Sequence, residues 1–434
     1  MKKRLFGFSA GAALISCMLV FPAAAEYEEE YYYDDGTYYE EDYYYDDGSY
    51  YDDGSYYDDG SYYDDGSYYD EGSYEEEAPA EEASQEEVSE DSWHQDFRTD
   101  ISRGKAERET PDADGMVHSY LTGKLISAET GLKRPIGIMI NNIINALPQC
   151  SLSKAGVIYE APVEGEITRL LAIYDTVEGL DKIGPVRSCR DYYIDFALEF
   201  DAIYTHFGQA VYAYDLLNSE MVNNISGLQY QDAVGEIYGY AGEDIFFRTD
   251  DRPAPHNCYT SAEGIKTAIE RKEYSMELDD KYEGHFSFAA DGETVTYTDG
   301  TATHIVPHLY TNYPYFDYDA ATEKYLRSEY PDREAGPAQI DEMTGEQLSV
   351  DNIIIQYCPI RAYDENGYLN VNTNAGGEAI LFTKGTYQKA TWEKATDWGP
   401  AKYYDASGNE IRINQGQTWI CIVQDTRKSD TSFE

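Results

Sequence analysis

Short apolar runs alternate with turn-forming residues between positions 134 and 283, and this pattern predicts both strands and helices. Runs rich in β-branched and aromatic residues, bounded by Asn, Gly or Pro, predict strands over residues 134–142, 156–163, 169–174 and 201–207. Helical spacing of apolar residues predicts helices over residues 189–200, 211–221 and 260–272, the last opening with a capping box. Strands and helices alternate irregularly, which favours an α+β fold with a mixed sheet and packed helices.

Residues 284–426 have a different pattern, in which strand-like runs are separated by hairpin turns. Glu365-Asn366-Gly367 and the run from Ala406 to Asn409 are typical turn sequences. We therefore predict a smaller β-rich module that packs through a core of its own, followed by a polar tail over residues 427–434.

The residues before position 134 predict three non-globular segments. Residues 1–25 are typical of a signal peptide, residues 26–92 form an acidic low-complexity segment and linker, and residues 93–133 form a second linker that becomes ordered near Val117. Within the acidic segment, Tyr-Tyr-Asp-Asp-Gly-Ser repeats every six residues. The repeat over residues 43–74 contains no aliphatic residue that could build a core, so we expect the acidic segment to be disordered.

Two outcomes are open for the signal peptide. A basic start and an apolar run precede Ala23-Ala24-Ala25, which favours cleavage after Ala25. Alternatively, Leu14-Ile15-Ser16-Cys17 is similar to a lipobox, which would put a lipid on Cys17. The expected location is secreted or cell-surface, with a lipid anchor to the outer face of the membrane as the alternative.

The charge of the chain excludes nucleic acid as a partner. The formal net charge is −51, and residues 26–91 contain 28 acidic and no basic residues. Phosphate backbones need a basic face, which this composition does not supply. The chain also has no phosphate loop or dinucleotide motif, so we expect no cofactor. His304 and His308 have i,i+4 spacing, but Pro307 opposes a helix there, so we expect no metal site.

The densest local positive charge lies in the stretch from Lys182 to Gln209. Ser188 followed by Asp191 predicts a helix start, and Arg187 and Arg190 lie beside it. Helix starts bind anions, and arginine forks bind phosphate or carboxylate at two points. Together with Arg169, this predicts an anion site. The alternative is that Glu160, Glu164 or Glu166 supplies the anion as a structural ion pair.

Other candidate site residues surround this stretch. Glu160 and Glu164 are paired carboxylates of the kind that glycoside cleavage needs, but the pattern favours a structural role in which they neutralise Arg169, Arg187 and Arg190. His206 ends a predicted strand, and His256-Asn257 lies in a proline-rich loop where site residues are common. The five cysteines after the signal peptide show no C-x-x-C pairing, so we interpret them as core residues, with one disulfide left open.

Long motifs in both modules resemble the YerB-like bacterial envelope lipoproteins. They are RPIGIMINN, LSKAGVIYEAPVEGEITRLLAIYD, KIGPVRSCRDYYIDFALEFDAIYTHFG, RPAPHNCYTS, EKYLRSE, DEMTGEQLSVDNIIIQ and YYDASGNEIRINQGQTW. The resemblance covers about residues 134–423 and implies an α+β module joined to a β-rich module outside the membrane. It implies little about chemistry, because the family is a domain of unknown function. Cys150 and Cys189 depart from the small residues expected there.

These observations favour an extracytoplasmic envelope protein that binds an anionic glycan or a phosphate-bearing wall component through Arg169, Arg187 and Arg190. The first alternative is a wall-glycan hydrolase or phosphotransferase that uses Glu160 or Glu164 with the arginines. The second is a structural or partner-binding surface protein. Oligomeric state is left open.

Overall fold

A computed structural model describes residues 107–229, 237–309, 311–396 and 398–434. The predicted signal peptide, Cys17 and the acidic repeat lie outside these ranges, so their assignments stay predictions. Within the described ranges, no helix is long and apolar enough to cross a membrane.

The first part of the described chain contains most of the helical structure. Its elements in chain order are β1 Met116–His118, β2 Leu125–Ser127, α1 Ala128–Gly131, β3 Ile136–Asn141, β4 Val157–Pro162, β5 Thr168–Tyr174, α2 Asp191–Leu198, β6 Ile203–His206, α3 Tyr214–Leu217, β7 Asn224–Ser226, β8 Phe246–Arg248, β9 Cys258–Thr260 and α4 Ala262–Lys272.

The second part is built from strands. They are β10 Ser287–Phe288, β11 Gly300–Thr301, β12 His304–Val306, β13 Tyr315–Asp319, β14 Lys324–Ser328, β15 Ser349–Val350, β16 Asn352–Cys358, β17 Ile360–Ala362, β18 Leu369–Val371, β19 Gly377–Thr383, β20 Thr386–Lys394, β21 Ala401–Tyr404, β22 Arg412–Ile413, β23 Thr418–Gln424 and β24 Ser432–Phe433.

One mixed sheet runs through both parts, which confirms the predicted mixed sheet. Among the described residues its order is β11-β20-β19-β16-β23-β4-β5-β3-β6-β7, with β21 paired to β20. Strand β23 lies parallel to both β16 and β4, so a strand from the end of the chain joins the two parts. The prediction that residues 284–426 pack through a core of their own is therefore wrong.

Both faces of this sheet are buried, and side chains alternate between two apolar clusters. In β5, Leu171 and Ile173 belong to one cluster, whereas Leu170 and Ala172 belong to the other, as the two-residue period of a strand requires. Helix α2 contributes Phe196 to the first cluster. Strands of both parts contribute to each cluster. Because both faces are buried, the strand sequences are nearly continuous apolar runs rather than alternating apolar and polar residues.

Several predicted boundaries differ from the structure. The helix expected over 211–221 ends at Leu217 and begins as a 3₁₀ turn. Residues 427–434 are not a free tail, because β24 pairs with β12 and Phe433 packs on Phe382 and Tyr387. The expected ordering near Val117 is confirmed. Helix α4 begins one residue later than the predicted capping box, because Thr260 ends β9 and Ser261 is the N-cap, with its hydroxyl accepting from the Gly264 amide.

Candidate functional site

The backbone of the arginine stretch is extended where a helix start was predicted. The Arg187 amide donates to Met139 O and the Arg187 carbonyl accepts from the Phe207 amide, while the Cys189 amide donates to Gly208 O. These bonds hold residues 187–189 against the ends of β3 and β6. Helix α2 therefore begins at Asp191, with Arg190 as its N-cap, and the prediction of a helix start at Ser188 is wrong.

Arg190 forms a buried ion pair with Glu164. Its Nε lies 2.9 Å from both carboxylate oxygens and its Nη2 lies 2.5 Å from Oε2, and the two side chains are 3% and 6% exposed. Burial raises the pKa of Glu164, but the charge and hydrogen bonds of Arg190, with the charge of Arg169, lower it overall. This is the structural ion pair that the sequence left open as an alternative.

Arg169 is also buried, on the same side of the molecule as this pair. Its Nη1 donates to Ser188 O at 2.7 Å, and Ser188 itself is 7% exposed. The hydroxyl of Tyr193, from α2, donates to Arg169 O at 2.6 Å. These contacts join the start of α2 to β5. The side chains of Arg169, Ser188 and Arg190 are buried and do not open together onto solvent.

Glu160 is fully buried and belongs to a different set of contacts. It accepts hydrogen bonds from the side chains of Asn142, Thr168, Asn312, Arg327 and Trp419. The shortest is 2.6 Å, from Arg327 Nη2, and both side chains of that ion pair are 0% exposed. The pair joins the two parts of the chain across the sheet. Glu160 and Glu164 thus hold separate structural partners and do not face each other across a cleft.

A second buried carboxylate, Glu329, lies beside Arg327. Its Oε2 is 3.8 Å from Arg327 Nη2 and accepts from Asn312 Nδ2 at 3.1 Å. Burial raises the pKa of Glu329 to about 7 against the opposing charge of Arg327, and the charge of Glu160 raises it further. Glu329 Oε1, Asn312 Oδ1 and Arg327 Nε have no hydrogen-bond partner among the described residues. We call Glu160, Arg327 and Glu329 the buried charge cluster.

His206 ends β6 as predicted but is fully buried. Its ring nitrogens lie 2.7 Å from Gly208 O and 3.2 Å from Asn224 Oδ1. Burial lowers the pKa of His206 to about 4, so the ring stays neutral at pH 7. The structure places this histidine in the sheet interior, where it bridges neighbouring segments.

The remaining predicted residues meet at the carboxyl ends of the parallel strands β3 and β6. The side chains of Asn141 and His256 are hydrogen-bonded at 2.9 Å, and His256 is half-buried. Asn257 Oδ1 accepts from Nη1 of an exposed residue, Arg248, at 3.0 Å. Arg187 is half-buried at the same edge. We call Asn141, Arg187, Arg248, His256 and Asn257 the strand-end patch.

Two arginines of this patch, Arg187 and Arg248, act electrostatically on the buried Cys258. Burial raises the pKa of the Cys258 thiol to about 12, while the charges of Arg248 and Arg187 oppose that rise. The Arg248 guanidinium also lies 5.2 Å from the centre of the Phe207 ring, at the end of β6. Carboxyl ends of parallel strands are where ligands bind in open sheets that contain helices.

Comparison with known proteins places the chain in a family. Residues 121–275 match the N-terminal domain, and residues 303–420 the C-terminal domain, of the family described as protein of unknown function DUF3048. The chain belongs to this family. It is 29% identical over 316 residues to the Bacillus subtilis (strain 168) protein named "Putative lipoprotein YerB", covering 73% of this chain and 88% of that protein.

A solved structure extends the same likeness to the fold. The crystal structure of YerB from Bacillus subtilis matches with a TM-score of 0.61 and 28% identity, covering 73% of this chain and 99% of that chain. The two DUF3048 domains share one sheet here, because β23 from the C-terminal domain pairs with β4 from the N-terminal domain.

Sequence reasoning missed two residues of the strand-end patch in this DUF3048 protein, Asn141 and Arg248. Asn141 ends the predicted strand over 134–142, whereas Arg248 has a weaker signal. Its only signal is its place four residues before the RPAPHN motif, since the β8–β9 hairpin sets Arg248 opposite Cys258. The five cysteines in the described ranges are buried and form no disulfide. Within those ranges no cluster of His, Cys and acidic residues could hold a metal ion.

Proposed function

We propose that this DUF3048 protein is an extracytoplasmic envelope protein that binds an anionic glycan or a phosphate-bearing wall polymer at the strand-end patch. The observation that carries the proposal is the group of hydrogen-bonded polar side chains at the carboxyl end of β3, where Asn141 contacts His256 at 2.9 Å and the adjacent Asn257 contacts the exposed Arg248 at 3.0 Å. Asn257 supports this role, because its hydrogen bond to Arg248 orients that guanidinium. Guanidinium groups bind phosphate and carboxylate at two points, which a flexible polymer of either kind can satisfy.

The location follows from the predicted signal peptide and from the relative. The Bacillus subtilis protein is named "Putative lipoprotein YerB", and a lipid on Cys17 would hold this chain at the outer face of the membrane. Cleavage after Ala25 would release it instead. Intact mass of the protein isolated from the membrane fraction separates these outcomes, because only the lipidated form starts at Cys17 and carries acyl mass.

Binding is favoured over wall-glycan hydrolysis or phosphoryl transfer because both candidate carboxylates, Glu160 and Glu164, are buried and bound to arginines inside the protein. Glycoside cleavage needs one carboxyl group to protonate a leaving group and a second to face the sugar. Glu160 is fully buried among five donors, and Glu164 is held by Arg190. Neither arrangement offers a proton donor to a substrate in solvent.

The test compares Arg248→Gln and Arg187→Gln with Arg412→Gln, an exposed arginine paired with Glu293. Calorimetric titration with poly(glycerol phosphate), polygalacturonate and an uncharged glucan separates phosphate, carboxylate and neutral ligands. Each patch variant should weaken binding of a charged polymer more than tenfold, about 1.4 kcal/mol, while Arg412→Gln binds as the wild type does. Equal binding by Arg248→Gln and Arg412→Gln would overturn the proposal.

The salt dependence of polymer binding gives a second test of the strand-end patch. The chain is strongly acidic, so attraction at the patch acts against repulsion by the rest of the protein. At about 0.15 M salt the screening length is about 8 Å, so contacts at the patch persist while distant repulsion is screened. Binding should therefore be measurable at this salt concentration and weaken at about 1 M. Affinity that rises steadily with salt would indicate apolar rather than ionic recognition.

A further inference from the structure

Arg248 is an exposed arginine that has no carboxylate partner among the described residues, although the chain carries a formal net charge of −51. Its guanidinium donates to the neutral side chain of Asn257 at 3.0 Å and lies over the ring of Phe207. Arg412, in contrast, is also exposed but is paired with Glu293 at 2.7 Å. An exposed guanidinium without an acid beside it attracts carboxylates from elsewhere in so acidic a chain.

The repeat over residues 43–74, which lies outside the described residues, combines carboxylates with aromatic rings. Its unit, Tyr-Tyr-Asp-Asp-Gly-Ser, puts two tyrosines directly before two aspartates, and residues 43–74 contain ten acidic and no basic residues. A carboxylate can bind a guanidinium at two points, and a tyrosine ring can lie against its flat face. The linker over residues 75–91 has nine acidic residues but no aromatic one. The repeat therefore matches an exposed arginine better than the linker does.

The described chain begins at a position from which the repeat can reach the strand-end patch. Arg108 donates to the backbone carbonyls of Tyr282 and Asp279, and the Asp279 amide donates to Asp201, two residues before β6. The chain thus enters the fold near the amino end of β6, whereas the patch lies at the carboxyl ends of β3 and β6. Strand β3 has six residues and is about 20 Å long. The 32 residues between positions 74 and 107 can extend to about 105 Å, which exceeds this distance several times.

We propose that the repeat over residues 43–74 occupies the strand-end patch of its own chain and competes there with external anionic polymers. This inference rests on the proposed function, because repeat and polymer would use the same guanidinium group of Arg248. A tethered segment acts at an effective concentration in the millimolar range. With a Kd of about 1 mM for one repeat unit, the apparent affinity for an external polymer falls roughly two- to tenfold. A ligand with many anionic groups displaces the repeat more efficiently than a small anion does.

Two full-length variants with equal changes in net charge separate occupation of the patch from general repulsion. The repeat variant has asparagine in place of the nine aspartates within residues 43–74, and the linker variant has amides in place of the nine acidic residues of 75–91. In calorimetric titration with poly(glycerol phosphate), the repeat variant should bind at least threefold more tightly than the wild type. The linker variant should gain less. Equal gains by the two variants would show repulsion alone and overturn the proposal.

Arg248→Gln tests whether this effect acts through the patch. When both the wild type and the repeat variant carry Arg248→Gln, their difference in polymer affinity should disappear, because the repeat no longer has its partner. A difference of undiminished size would place the effect of the repeat elsewhere on the molecule and overturn the proposal.

NMR of arginine side chains detects occupation without any polymer. The Arg248 Nε–Hε signal of the wild type should differ from that of the repeat variant and match that of the linker variant, while Arg412 should give the same signal in all three. A peptide of two repeat units, added to the repeat variant, should move the Arg248 signal towards its wild-type position. Identical Arg248 signals in wild type and repeat variant would overturn the proposal. If none of the proteins binds the polymer, the proposed function fails, and the Arg248 signal still decides whether the repeat occupies the patch.

Discussion

Replacing Glu329 with glutamine should make the protein more stable at neutral and alkaline pH. Glu329 is fully buried beside Arg327, but Arg327 is already bound to Glu160 at 2.6 Å, so one arginine serves two carboxylates. Ionising Glu329 therefore adds a buried negative charge that is poorly compensated. A neutral Glu329 also carries a donor, and Asn312 Oδ1 is a buried acceptor without a partner among the described residues.

The size of the stabilisation expected for Glu329→Gln follows from the pKa of the Glu329 carboxyl group. A glutamate titrates near pH 4.3 in an unfolded chain, whereas Glu329 keeps its proton to about pH 7 in the folded protein. Between these values the folded state binds about one more proton than the unfolded state, so the free energy of unfolding falls as pH rises. At about 1.4 kcal/mol for each pH unit, the loss is about 4 kcal/mol and is complete above pH 7. Glutamine does not ionise and avoids this loss.

Urea unfolding of wild type and Glu329→Gln, from about pH 4 to pH 8, measures the difference. Other groups with perturbed pKa values, such as Asp195, cancel because both proteins contain them. We expect nearly equal stability at about pH 4 and an advantage for the variant that grows to about 4 kcal/mol above pH 7. Glu410→Gln, at an exposed ion pair with Lys402, should show no such trend. A variant that is less stable than wild type above pH 7, or a difference independent of pH, would refute the reasoning.

Three further outcomes follow from the fold. Arg190→Gln should lower the free energy of unfolding by about 3–5 kcal/mol because it leaves Glu164 buried without its partner, while Arg412→Gln, measured by the same urea titration, changes it by less than about 1 kcal/mol. Ending the chain before Thr418 should abolish cooperative unfolding seen by circular dichroism, since β23 joins the two halves of the sheet; a retained sharp transition would contradict this. The five buried cysteines should react with a thiol reagent only on unfolding, and rapid labelling of native protein would show that one is accessible.

The sequence predicts the individual elements of the N-terminal domain more accurately than their assembly. Strands β3, β4 and β6 and helix α4 lie within the predicted ranges, and β5 begins one residue before its range, because their apolar runs and turn residues are local signals. The place of β23 in the sheet, in contrast, depends on residues that are distant in sequence. Its apolar run, Thr418–Gln424, shows that it is a buried strand, but nothing near it in sequence indicates that it pairs with β4, more than 250 residues earlier. Pairing of distant strands is set by tertiary contacts that a single sequence does not display.

The sequence also does not determine which buried acid pairs with which arginine, because these pairs depend on the same distant strand contacts. The sequence offers Glu160, Glu164 and Glu166 as acids near the arginine stretch, and proximity along the chain does not rank them. In the structure Glu164 binds Arg190, while Glu160 binds Arg327, which lies 167 residues away. A sequence pattern can therefore predict that an arginine stretch near several glutamates contains ion pairs, but the pairing depends on which strands become neighbours.

The separation of Arg187 from Arg190 is the difference that most changes the functional interpretation. A helix start at Ser188 would set Arg187 just before the free N–H groups of the first turn and Arg190 within that turn, so both guanidinium groups would serve one anion site. In extended backbone, residues three apart lie on opposite sides. Hydrogen bonds to Met139 and Gly208 keep this segment extended. Arg190 therefore reaches Glu164, while Arg187 acts on Cys258, the residue opposite Arg248 in the β8–β9 hairpin. One local conformational choice thus divides the predicted cluster into a structural pair and a candidate binding patch, and it brings in Arg248 from a hairpin some sixty residues further along the chain.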